Sequence, residues 1–183
     1  MKTIGEMNRA EIAAFVQEQL RTRGIDVVLS GGACVSIYSH GKYVSMDLDM
    51  IHTSLLAPRR KALFEAMLDL GFTTEGRYFR HDETDLYVEF PKGPPAAGNE
   101  PLKVFSDLQV STGTLRILTP TDCIKDRLAG FFYFNDRQCL EQAKLVAMHN
   151  EIDLIELERW SSREGKKKQF LQFRELLERE SRT

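Results

Sequence analysis

Residues Val27 to Ile51 read VVLSGGACVSIYSHGKYVSMDLDMI, and their reading decides the fold. Val27, Val28 and Leu29 make a short buried strand. Ser30-Gly31-Gly32 turns out of it into a short helix carrying Ala33, Val35 and Ile37. Ser39 to Tyr43 reads as a loop. From Ser45 to Ile51 the period becomes two, so Met46, Leu48 and Met50 face one way and Asp47 and Asp49 the other. Acids at i and i+2 of a strand share one face, with Cα atoms about 6.6 Å apart. A third acid, Glu89, lies downstream in another apolar strand, DLYVEF, on the face it shares with Asp85 and Tyr87.

Three strand-borne carboxylates make poor core but good ligands for hard divalent cations. Two ions about 3.5–4 Å apart need bridging and terminal carboxylates, and oxygen donors of this kind suit magnesium or manganese beside a phosphate. Asp47, Asp49 and Glu89 are therefore the candidate catalytic and metal-holding residues, with Asp85 the alternative to Glu89. Gly31 and Gly32 let backbone N–H groups at a helix start approach phosphate oxygens. GGACVSIY has neither the spacing nor the Gly-Lys-Ser/Thr end of a Walker A loop. The plain alternatives are acids on a solvated sheet face and glycines in a tight turn.

Outward from this stretch, Asn8 caps a helix from about Arg9 to Arg23, with Glu11 completing a capping box and Gly24 ending it. Pro58 opens a further helix that stops at Gly71, with Leu63, Phe64, Met67 and Leu68 as core candidates. Phe72 to Arg80, Asp85 to Phe90, Lys103 to Gln109 and Thr114 to Leu118 read as strands. Pro91 to Pro101, with four prolines and two glycines, reads as a loop. Thr119 caps a helix from Pro120, and the chain onward is almost wholly helical, broken at Gly165. The expectation is an α/β (α+β) domain with a mixed sheet over residues 1–118 and a helical C-terminal region over 119–183.

The 183 residues, 42% of them hydrophobic, suffice for an independent core, and a net charge of −2 excludes bulk nucleic-acid binding by global basicity. Cys34, Cys123 and Cys139 stand in no ligand spacing and read as reduced thiols. No stretch approaches 18 apolar residues and no apolar signal core opens the chain, so the expectation is a cytoplasmic protein without membrane partners.

An apolar strand, Gly-Gly, a short helix, an apolar-flanked D-x-D and a later strand acid together resemble the minimal nucleotidyltransferases of the DNA polymerase β-like superfamily, including those of toxin–antitoxin and abortive-infection systems. Gly31-Gly32, Asp47-Leu48-Asp49 and Glu89 carry the resemblance. VEFPKGPPAAGNEPL and LTPTDCIKDRLAGFFYFNDRQCLEQAKLVA also look like stretches of uncharacterised bacterial relatives, so the likeness spans about Val27 to Ala147. It implies a nucleotidyltransferase-like fold and a two-metal transfer of a nucleoside monophosphate from an NTP to a hydroxyl acceptor, with pyrophosphate leaving. Asp47 and Asp49 would hold both ions, and Glu89 would help hold the catalytic one. The acceptor is left open among a protein, a tRNA and a small hydroxylated molecule, as is a toxin–antitoxin partner.

This chain departs from the family pattern in three places. Gly32 stands where many members have serine, so Ser30 or backbone groups would serve the phosphate. The interval from Gly32 to Asp47 is long, and the third acid is glutamate where aspartate is common. Lys125 and Arg127, on the helix after Thr119, are the cations expected to neutralise a triphosphate. A solvated helix face explains them equally well. Tyr87 shares the acid face and can stack on a base, and Lys166 to Lys168 is a minor candidate for RNA contact. The rival functions are a non-catalytic nucleotide- or partner-binding domain of the same fold and a metal-dependent phosphohydrolase.

Overall fold

The computed structural model describes residues 2–54 and 60–180. They make two compact units, Met1–Cys34 with Val44–Pro95 and Lys103–Leu118, and Val35–Tyr43 with Ala96–Leu102 and Thr119–Thr183. Two segments upstream of Leu118 thus belong to the second unit.

The first unit is built on a seven-stranded mixed sheet. Its strands are β1 (Val27–Ser30), β2 (Asp47–His52), β3 (Thr73–Glu75), β4 (Tyr78–His81) and β5 (Thr84–Glu89). A two-stranded piece of the second unit supplies β6 (Ala96–Ala97) and β7 (Glu100–Pro101), and β8 (Phe105–Val110) and β9 (Gly113–Leu118) complete the large sheet. Its order is β3-β4-β5-β2-β1-β9-β8. β2 runs parallel to β5 and β1 parallel to β9, whereas the other neighbours are antiparallel. This is the mixed sheet with helices that the alternating pattern of the sequence calls for.

Helix α1 (Arg9–Arg21) starts on the expected capping box, Asn8 accepting from the Glu11 backbone and Glu11 from that of Asn8. Ile12, Ala13, Val16 and Leu20 are buried, and α1 packs on β9. Its buried Gln17 serves β9 as a surrogate strand. The amide donates to the Arg116 carbonyl at 2.7 Å and accepts from the Arg116 N–H at 2.8 Å. That bridge gives two backbone groups of β9 hydrogen-bond partners on α1.

Three expectations change in detail. Phe72 to Arg80 is not one strand but the β3–β4 hairpin, broken at Gly76 (φ 64°) and Arg77. The proline-rich stretch contains the small β6–β7 pair. The helix expected from Pro58 is described from Arg60 as α3 (Arg60–Asp69), Pro58 itself lying outside the described residues. Ala66 and Met67 are its buried positions, whereas Phe64 and Leu68 are exposed. Phe64, though exposed, meets Phe79 of β4 edge to face at 6.1 Å.

In the second unit, α2 (Gly31–Tyr38) contributes its last residues, and α4 (Pro120–Phe134), α5 (Arg137–His149), α6 (Leu154–Arg163) and α7 (Lys167–Glu180) form a helical assembly. Thr119 caps α4 as expected, accepting from the Asp122 N–H at 3.1 Å. Asp136 and Asp153 cap α5 and α6. A β-carbon on Gly130 would meet the Cys139 sulfur at 2.7 Å, so glycine permits the close approach of α4 and α5. Trp160 is fully buried, stacked on Phe132 at 5.4 Å, and its indole donates to the Ala97 carbonyl. No described helix is long and apolar enough to cross a membrane.

Two carboxylates lie well below their ordinary range. Glu11 is held at about 2 by the Lys2 ammonium, the Ser111 hydroxyl and the Asn8 N–H. Glu156 is held at about 2 by the Arg159 guanidinium and then by Lys125. A carboxyl whose folded pKa is depressed contributes stability above its unfolded pKa and loses it as pH falls through the folded one. Thermal melts should therefore weaken steadily as pH drops from about 4.5 towards 2. Glu156→Gln should be less stable near neutral pH and show a shallower acid slope. A wild-type melting temperature flat across that window would contradict the assignment.

Candidate active site

β2 and β5 bring the three acids together on the backbone. Asp49 is the direct register partner of Glu89, and Asp47 is the partner of Tyr87. Neighbouring strands are about 4.8 Å apart and i, i+2 positions about 6.6 Å, so three carboxylate stems share one small patch of one sheet face. Leu48, Met50 and Val88, on the opposite face, are fully buried. That burial fixes the register, because a one-residue slip would drive the acids into the core.

The side chains above this patch are all engaged. Tyr87 donates its hydroxyl to Asp47, and that bond, with burial, raises the phenol above its ordinary pKa. Glu89 is paired with Arg77, Nε to Oε1 at 3.3 Å. Arg77 also donates to the Tyr78 hydroxyl at 2.6 Å and lies 4.9 Å from that ring's centre. Tyr78 and Tyr87 meet edge to face at 4.7 Å, with Arg80 over the Tyr87 ring. Arg77, Tyr78 and Arg80 were not among the residues expected at the site. A hairpin at Gly76-Arg77 places them there, signalled by a two-residue connection with glycine first between runs of strand formers.

Asp49 is set against the turn before α2. Ser30 is its register partner across β1–β2, and the Ser30 hydroxyl donates to the Asp49 carbonyl at 3.2 Å. Gly31 has φ 66°, and a β-carbon there would collide with the Asp49 carboxylate oxygen Oδ2. Glycine is thus required twice over, for the left-handed backbone and for the acid's place. Gly31→Ala is expected to displace Asp49 and to cost roughly 1–3 kcal/mol, the scale for an L-residue held in a strained conformation. Circular-dichroism melts check the stability loss. Retained wild-type stability would show that the turn tolerates a side chain.

The donor set, three carboxylates and no sulfur or imidazole, matches the chemistry of magnesium or manganese. Among the described residues, no three His, Cys, Asp or Glu side chains are gathered as a metal-holding group. The donor types suit such an ion, and the three stems share one face of the sheet. The side-chain ends of Asp47 and Glu89 are instead turned to Tyr87 and Arg77.

Lys125 and Arg127 lie in the second unit, where their charges are already balanced. The Lys125 ammonium, 4% exposed, pairs with Glu156 at 2.7 Å, Asp122 at 3.1 Å and Glu100 at 3.3 Å. Burial lowers its proton affinity, but these carboxylates more than reverse that. Arg159 bridges Glu100 and Glu156 from outside. Arg127 pairs with Asp126 and donates to Gln142 at 3.2 Å.

No family model matches the chain, and no curated protein matches it. Two solved structures of ANT(2'')-Ia are similar to it. One, a crystal structure in complex with adenylyl-2''-tobramycin, is 15% identical over 73% of this chain and 84% of that one, with a TM-score of 0.44. The other, a solution structure of the same antibiotic-resistance factor, is 13% identical over 95% and 96%, with a TM-score of 0.47. At that level of likeness neither bears on what this chain binds or does.

Proposed function

We propose that the chain is a metal-dependent nucleotidyltransferase that moves a nucleoside monophosphate from an NTP to a hydroxyl acceptor. The reading rests on one juxtaposition: Asp49 in register with Glu89, Asp47 two residues along, and a Gly31-Gly32 helix start set against Asp49. Asp47, Asp49 and Glu89 are the residues that would hold magnesium or manganese. Bound there, such an ion neutralises phosphate charge and makes the acceptor hydroxyl more acidic.

The chain's own groups do the rest. The N–H groups at the start of α2, with the positive end of its dipole, receive phosphate oxygens. Asp47 and Asp49, fixed by the buried residues between and beside them, would hold the ion against which the α-phosphate is oriented. Glu89 is assigned the acceptor hydroxyl's proton. In the step itself the acceptor oxygen bonds to the α-phosphorus, and the bond from that phosphorus to the β-phosphate bridging oxygen breaks. Pyrophosphate carries away the electron pair. We assign Lys125 to the scaffold of the second unit, because three carboxylates already claim its charge.

The test supplies each of the four NTPs, labelled at the α-phosphate, with magnesium or manganese and one acceptor pool at a time: total tRNA, cellular protein or hydroxylated small molecules. The expected result is ion-dependent transfer of label to one pool with stoichiometric pyrophosphate. Release of inorganic phosphate would instead identify a phosphohydrolase. The Arg77–Glu89 ion pair favours a second reading, nucleotide binding without transfer. That reading predicts NTP binding with no label incorporated into any pool.

A further inference from the structure

We propose that Arg77 is a phosphate-binding residue of this site, held on Glu89 until a divalent cation takes that carboxylate. The proposal rests on the nucleotidyltransferase reading above and adds a residue that the acid pattern alone does not contain.

Arg77 sits in the two-residue turn between β3 and β4, next to Tyr78, the register partner of Glu89. Its side chain is 69% exposed, whereas that of Glu89 is 16% exposed. The mobile partner of the pair is therefore the arginine. Arg77 thus supplies positive charge to Glu89, one of the three acids. In this arrangement it does for Glu89 part of what a cation would do, which accounts for that carboxylate end being turned to the arginine.

Loading the acids with a divalent ion changes the balance. A doubly charged ion outcompetes a guanidinium for Glu89, and Arg77 is left beside a neutralised patch with no carboxylate claiming it. A guanidinium presents a planar fork of donors that matches phosphate oxygens in pairs. The NTP's phosphates bring that anionic partner to the same face, while the Tyr78 hydroxyl and ring keep the arginine close. Exchanging Glu89 for phosphate costs the residue no net loss of charge pairing.

Removing Arg77 should then move two affinities in opposite directions. The test uses the full chain, wild type and Arg77→Gln, with Mn2+ binding followed by electron paramagnetic resonance in the absence of nucleotide. NTP binding in the presence of non-reactive Ca2+ is followed by calorimetry. R77Q should bind Mn2+ about threefold tighter, the scale of one partly exposed ion pair. It should bind NTP about tenfold weaker, the scale of a charge-assisted phosphate contact. Thermal melts should match wild type, since the side chain lies in an exposed turn. Wild-type affinity of R77Q for either Mn2+ or NTP would overturn the role given to Arg77 while leaving the acid site standing. A wild-type chain that binds neither ligand would overturn the nucleotidyltransferase reading, and this proposal with it.

Discussion

Asp49→Asn should abolish ion-dependent transfer while leaving the fold intact. The substitution keeps the side chain's shape against Gly31, removes its charge and exchanges one acceptor oxygen for an NH2, while the β1–β2 register, set by backbone pairing, survives. Asp49 is central among the three acids, flanked by Asp47 along its own strand and by Glu89 across the ladder. Losing it strips the shared ligand from any ion that the other two hold. A drop of about 1,000-fold or more in turnover, roughly 4 kcal/mol of barrier, is expected. Steady-state transfer and a thermal melt on the same preparation check it. A D49N chain that folds normally and transfers at the wild-type rate would remove these acids from the chemistry.

Lys125→Ala carries the largest expected effect on stability. Its ammonium is 4% exposed and bonded to Glu156, Asp122 and Glu100, so truncation leaves three carboxylates facing one another without their common cation. Breaking one side of a buried ion pair costs about 3 kcal/mol at the lower end of its usual range, and the partial exposure of these acids argues for that end. For a chain of this length that is a fall of roughly 6–12 °C in melting temperature. A phosphate-binding lysine would behave differently, raising the NTP Michaelis constant with no change in the melt. Calorimetric melts and initial-rate kinetics on K125A separate the two, and an unchanged melting temperature would contradict the scaffold role.

The sequence announced the elements whose signals are local. The capping box at Asn8 and Glu11, the cap at Thr119 and the alternation from Met46 to Met50 each depend on a few neighbouring residues. Each marks an element present in the structure. Asp47 and Asp49 share a face for the same reason. That Glu89 is the acid in register with Asp49 is also half legible, since the alternation of DLYVEF selects Asp85, Tyr87 and Glu89. The register among those three is a long-range fact.

What the sequence hid was non-local or masked by composition. FTTEGRYFR is so rich in strand formers that one glycine reads as a flaw in a single strand, not as the first residue of a hairpin turn. Reading it as one strand loses Arg77, Tyr78 and Arg80 from the acid face. Lys125 shows the second kind of difficulty. Its pairing with Asp122 is readable as an i, i+3 contact, but Glu100 and Glu156 reach it from 25 and 31 residues away. Only the folded second unit reveals that its charge is spent.

The most direct test of the central claim is calorimetric titration of each NTP into the wild-type chain, with Ca2+ or Mn2+ and without any divalent ion, beside D49N. At least one NTP should bind, binding should require the ion, and D49N should lose it. NTP binding that is indifferent to both the ion and Asp49, or no binding of any NTP, would contradict it.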